Sequence, residues 1–168
     1  LQRLQHLSFM QRQQQAERLL SANMLGLDLA TAPLLGAALQ VHFTRLVAQT
    51  SATHPGRAFA PVDDGRICPY CGSASVASVR RPDSLGGSSR YLHCALCQTE
   101  WHMVRIKCAH CESTKGIHYE ALERTGDAPA PTVPVPQGAV QAECCDECGH
   151  YLKIMAMDKD PYLDPVAD

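Results

Sequence analysis

Nine cysteines lie between Cys68 and Cys148, and eight of them form four Cys-x-x-Cys pairs: Cys68/Cys71, Cys94/Cys97, Cys108/Cys111 and Cys145/Cys148. A tight turn across such a pair brings two sulfurs to one metal ion while backbone N–H groups point at the thiolates. Two pairs complete a tetrahedral four-thiolate site, which suits zinc or a single iron. One pair alone is weak evidence, because a redox dithiol uses the same spacing. Four in succession point to metal. Disulfides are the competing reading, but the count is odd, no secretory signal is visible, and the spacing is metal-like throughout.

An internal repeat sets the pairing. Arg66-Ile67-Cys68-Pro69-Tyr70-Cys71-Gly72-Ser73 matches Arg105-Ile106-Lys107-Cys108-Ala109-His110-Cys111-Glu112-Ser113 with one residue inserted before the first cysteine. The second pair is followed by Glu100-Trp101-His102-Met103 and the fourth by Tyr151-Leu152-Lys153-Ile154. Knuckle, hairpin, knuckle and apolar strand therefore occur twice. Site one is expected to be Cys68, Cys71, Cys94 and Cys97, with 22 residues between its pairs, and site two Cys108, Cys111, Cys145 and Cys148, with 33 between; a pairing that crosses the two modules is the alternative, and it would break the repeat. Cys144 is the odd one, either competing as a ligand through its spacing to Cys148 or remaining an oxidisable thiol. Each module has too small a core to hold alone, and a four-thiolate metal supplies on the order of 10 kcal/mol of folding free energy. Trp101, Tyr91 and Tyr151 read as small-core aromatics covering the sites.

The elements that carry these knuckles follow a helical region. Residues 1–25 contain no Pro or Gly and are rich in Leu, Gln, Arg and Ala, which predicts helix with one apolar stripe. A second helix is expected from near Pro33, capped by Thr31 and lined by Leu35, Ala38, Leu39, His42, Leu46 and Val47, with His42 a core or boundary histidine. Gln11–Gln15 reads as a solvated helical face. Pro55, Gly56, Pro61 and Gly65 mark an irregular crossing between Thr50 and Gly65. The expected fold class is α+β: an N-terminal helical region followed by two tandem rubredoxin-like or zinc-ribbon modules, each a small antiparallel β unit with a four-cysteine site. The domains are 1–60, 61–104 and 105–168, the last with a Pro-rich loop at 124–138. Without an initiator Met, the chain is expected to be a piece of a longer protein.

Charge narrows the function. The chain carries 15 basic and 17 acidic side chains, and residues 66–168 alone are net −3. Ferric sites would each add −1 and zinc sites −2, so phosphate binding, which relies on clustered Lys and Arg, is disfavoured. No apolar run reaches the length of a membrane helix. No Ser/His/Asp signature, phosphate loop or HExxH pattern is present, and eight paired cysteines close both sites to substrate, so an enzyme is not expected. His93, His102, His110, His118 and His150 read as groups around the ligands or at the surface. Four-thiolate iron retains one chemistry, one-electron transfer.

Cys68-Pro69-Tyr70-Cys71-Gly72-Ser73, the run from Arg90 through Tyr91-Leu92-His93-Cys94-Ala95-Leu96-Cys97 to His102, Lys115-Gly116-Ile117-His118-Tyr119, Tyr151-Leu152-Lys153-Ile154 and the closing Asp160-Pro161…Asp164-Pro165-Val166-Ala167-Asp168 resemble the bacterial formate dehydrogenase accessory proteins of the FdhE type. The resemblance covers about residues 60–168. It implies a cytoplasmic maturation factor that contacts the formate dehydrogenase catalytic subunit. It also implies iron at the cysteine sites, two ions in all with zinc as the alternative, and the eight paired cysteines as ligands. Cys144 departs from the pattern. A free-standing rubredoxin-like electron carrier is the second reading, and a zinc-ribbon nucleic-acid module the third.

Overall fold

The computed structural model describes residues 2–54, 64–84, 86–122 and 136–166. Most of the Thr50–Gly65 crossing, most of the Pro-rich loop at 124–138 and the last two residues lie outside them. The architecture is α+β and divides into a helical unit and a β unit that carries all six strands.

The helical unit contains α1 (Gln2–His6), α2 (Phe9–Leu20) and α3 (Ala32–Thr53). The continuous helix expected over 1–25 is interrupted because Ser8 restarts it. The Ser8 hydroxyl accepts from the Gln11 N–H at 3.2 Å while the Gln11 side chain accepts from the Ser8 N–H at 2.8 Å, a reciprocal capping box. Gln11 thus has a structural task beyond a solvated face. At α3 the start is close to the expected one, but Thr31 makes no side-chain cap, and its hydroxyl donates instead to the Asp28 carbonyl at 3.3 Å. Neither α2 nor α3 contains a buried residue; Leu35, Leu39, Phe43 and Val47 are half-buried at helical spacing. His42 is exposed, with its ring edge-on to Phe43, and is not a core residue.

In the β unit, β1 (Ser75–Pro82), β2 (Ser88–Cys94) and β3 (Glu100–His102) form one antiparallel meander; β4 (Ile117–Ala121), β5 (Val140–Cys145) and β6 (Tyr151–Ala156) form another. The two meet where β1 runs parallel to β6, pairing Ser78, Val79 and Arg80 with Ile154, Met155 and Ala156. The result is one six-stranded mixed sheet in the order β3-β2-β1-β6-β5-β4. Central position explains the continuous burial of Ala77, Ser78 and Val79 in β1, since a strand covered on both faces cannot alternate. The shared core lies at this junction: Val79, Ala139, Met155, Met157 and Leu163 are buried, and Val140 packs against them.

Candidate metal centres

All four Cys-x-x-Cys turns have the same backbone. The N–H of each first cysteine donates to the carbonyl five residues on: Cys68 to Ser73 (2.8 Å), Cys94 to Thr99 (2.9 Å), Cys108 to Ser113 (2.8 Å) and Cys145 to His150 (3.0 Å). The residue after each second cysteine lies at positive φ: Gly72 (75°), Gln98 (62°), Glu112 (63°) and Gly149 (68°). Gly72, Glu112 and Gly149 also donate back to the first cysteine's carbonyl, at 2.9, 3.1 and 2.9 Å. This closed turn is what aims both sulfurs to one side. The strands place the turns, with the β1–β2 hairpin between the first two and the β4–β5 hairpin between the last two.

The sulfurs gather into two sets, Cys68, Cys71, Cys94 and Cys97, and Cys108, Cys111, Cys145 and Cys148, with all ligand atoms of a set within 4.8 Å of one another. Sγ–Sγ separations are 3.4 Å for Cys71–Cys94, 3.7 Å for Cys108–Cys148 and 3.8 Å for Cys111–Cys145. A disulfide would hold sulfurs at about 2.05 Å, and none of the nine cysteines is in one. Four sulfurs about 2.3 Å from a central ion stand about 3.8 Å apart, so both sets fit a tetrahedral four-thiolate ion. The first set is the more enclosed: Cys68, Cys94 and Cys97 are buried and Cys71 is half-buried, whereas Cys111 of the second is exposed.

Three family models cover the chain in order: the FdhE N-terminal domain over residues 1–57, the FdhE central domain over 67–105 and the FdhE C-terminal domain over 106–168. The chain belongs to the FdhE family. It is 40% identical over 169 residues to a protein FdhE homolog of Cronobacter sakazakii and 38% identical to protein FdhE of Salmonella paratyphi A, in each case over 100% of this chain and 50% of the relative. The crystal structure of the FdhE protein from Pseudomonas aeruginosa aligns with a TM-score of 0.81 at 34% identity, over 99% of this chain and 53% of that one. The chain spans about half the length of the curated relatives it matches.

The second centre of this FdhE-family chain has an electrostatic gradient. Burial pushes the Cys108 thiol up, but N–H groups of Cys111 and His110, at 3.5 and 3.3 Å from its sulfur, and the neighbouring thiols bring it down to about 7. At Cys148 the His150 backbone favours the thiolate, yet burial and the three facing sulfurs push it up to about 12. Crowded thiols resist full ionisation until a cation neutralises them. The rings of His110 and His150 stack at 3.5 Å beside this set. Among the described residues no histidine joins either set.

Other expectations divide. Trp101 is half-buried, its indole N–H donating to the Gly65 carbonyl at 2.8 Å, and Tyr91 packs edge-on against His102. Tyr151, expected to cover a site, is 73% exposed, because it opens β6 with its ring on the outer side. Cys144 stands outside both sets: successive strand residues face opposite ways, so its sulfur is turned from that of Cys145. Sequence reasoning missed one buried group altogether. Arg90, 1% exposed, donates to Ser78 Oγ (2.7 Å), the carbonyls of Val104 (3.0 Å) and Lys107 (2.7 Å), and Glu143 Oε1 (2.5 Å). It ties β1, β2, the segment leading to the third knuckle and β5 together. Its partners are up to 53 residues away, and no local pattern announces them.

Proposed function

We propose that this chain is part of a maturation factor for formate dehydrogenase that binds the immature catalytic subunit in the cytoplasm. In this reading Cys68, Cys71, Cys94 and Cys97 hold one metal ion and Cys108, Cys111, Cys145 and Cys148 a second, each within a rubredoxin-like module, at about residues 61–104 and 105–168. Iron is the assignment, with zinc as the alternative. The observation that carries the reading is the FdhE domain order laid over two closed four-sulfur sets. Four protein ligands leave no position for substrate or water, which argues against metal-assisted hydrolysis. Iron bound in this way supplies one-electron exchange, and zinc supplies folding free energy alone. Large apolar side chains exposed on the helical unit, among them Phe9, Met10, Leu25, Leu29 and Val41, support a binding role. No helix among the described residues is long and apolar enough to cross a membrane.

The test is co-purification without oxygen. The catalytic subunit of formate dehydrogenase should be retained by the tagged protein, and about two metal ions per chain should accompany it. Two irons with a red charge-transfer band that bleaches on reduction would support a redox contribution. Failure to retain the subunit would remove the maturation reading and leave a stand-alone electron carrier.

A further inference from the structure

The two four-sulfur sets are not equally open to ligand exchange. In the first, Cys68, Cys94 and Cys97 are buried, at 0%, 0% and 3% exposure, and Cys71 is half-buried. In the second, Cys108 and Cys145 are buried, but Cys111 is exposed and Cys148 half-buried. A closed four-thiolate centre exchanges only when one ligand leaves and another enters, which requires a path to the departing sulfur. The second set offers that path at two ligands. The anchoring strands differ in the same sense. The first set hangs from β1 and β2, each flanked by a strand on both sides, whereas the third knuckle leads into the edge strand β4. β4 has no buried residue, and elements of that kind open locally at lower cost than interior strands. Within the third knuckle the two cysteines are held unequally. Buried Arg90 donates to the carbonyl of Lys107 at 2.7 Å, next to Cys108, whereas Cys111 lies toward β4. A cavity of about 370 Å³ borders Cys108 and Cys145 and no cysteine of the first set, which gives an incoming ligand room beside the second. Outright loss of a structural ion costs on the order of 10 kcal/mol of folding free energy. Exchange that keeps two cysteines bound avoids that loss.

We propose that the second set is a metal-exchange centre and the first a permanent one. Cys111 and then Cys148 yield to the thiols of a metal carrier or recipient, while Cys108 and Cys145 keep their hold. Each incoming thiol loses its proton as it bonds and each departing cysteine takes one up, so no electron moves. The inference rests on the proposed occupancy of both sets by metal, and its test separates the two claims. The full chain is loaded with a spin-silent isotope of cadmium, a soft ion that thiolates bind well. It is then given an NMR-active cadmium isotope carried by dithiothreitol, whose concentration is varied. Proton–cadmium correlation through the cysteine β protons reports arrival at each set. The signal should reach Cys108, Cys111, Cys145 and Cys148 about tenfold sooner than the first set, at a rate that rises with dithiothreitol. Iodoacetamide on the loaded chain should modify Cys111 first, and Cys148 before Cys108 or Cys145. Equal arrival at both sets, earlier arrival at the first, or a rate independent of dithiothreitol would overturn the proposal while both sets remain occupied. A set that takes up no cadmium at the outset would overturn the occupancy reading, and this inference with it.

Discussion

At the scale of single residues, the four knuckles use one backbone solution with unequal side chains. The position after the second cysteine needs positive φ, which glycine adopts freely and other residues adopt at a cost of about 1–2 kcal/mol. Gly72 and Gly149 meet the requirement; Gln98 at 62° and Glu112 at 63° bear the strain. Substituting glycine relieves it, offset by about 0.4–1 kcal/mol of extra chain entropy in the unfolded state. Gln98→Gly should therefore stabilise the metal-loaded protein by about 0.5–1 kcal/mol. Glu112→Gly should gain less, since it also removes the ion pair to Lys107 at 2.8 Å, an exposed pair of about 0–1 kcal/mol. Denaturant unfolding of the two variants checks this, and a loss of stability at Gln98→Gly would show that its side chain has a task the turn geometry does not reveal.

At the scale of elements, the question is what holds two meanders together. Arg90 in β2 and Glu143 in β5 form an ion pair that is 1% and 3% exposed. Burial lowers the pKa of Arg90 and raises that of Glu143, so for both groups desolvation outweighs their mutual attraction. Such a pair is worth little against a well-packed apolar replacement, but removing one partner strands the other. Arg90→Met or Glu143→Leu alone should cost about 3–5 kcal/mol, and the double variant should recover most of it. Denaturant midpoints of the three proteins decide, and single losses near those of a surface substitution would mean that water reaches the pair. This pair also marks where sequence reading ends. Cysteine spacing and the repeated Arg-Ile…Cys string suffice to sort eight sulfurs into two sets, because each turn is local. The link from Arg90 to Glu143, the parallel β1–β6 pairing and the outward Tyr151 depend on contacts between distant segments, which no spacing rule encodes. The break at Ser8 was legible in principle: Ser followed three residues later by Gln is a capping box.

At the scale of the β unit, tandem modules and one shared sheet make different predictions about cooperativity. Independent modules would each stand or fall with their own metal. Here β1 of the first meander pairs with β6 of the second, and the buried cluster of Val79, Ala139, Met155, Met157 and Leu163 draws on both. Neither half owns a complete core. A structural four-thiolate ion contributes on the order of 10 kcal/mol or more to folding, comparable to the whole stability of a domain. Losing one ion should therefore unfold more than the strands around it. Cys111→Ser with Cys148→Ser empties the second centre and leaves every first-site cysteine in place. Hydrogen exchange on this double variant should show lost protection in β4 and β5, where the ligands are, and also in β1, whose neighbour β6 would no longer be anchored. The edge strand β3, which among the described strands pairs with β2 alone, shows how far the loss spreads, since it is linked to the second centre through β1 and β2, through the Arg90–Glu143 pair and along the chain to Cys108. Protection retained at β1 would mean that the first centre and its hairpin hold by themselves, and that the parallel junction only docks two self-sufficient modules.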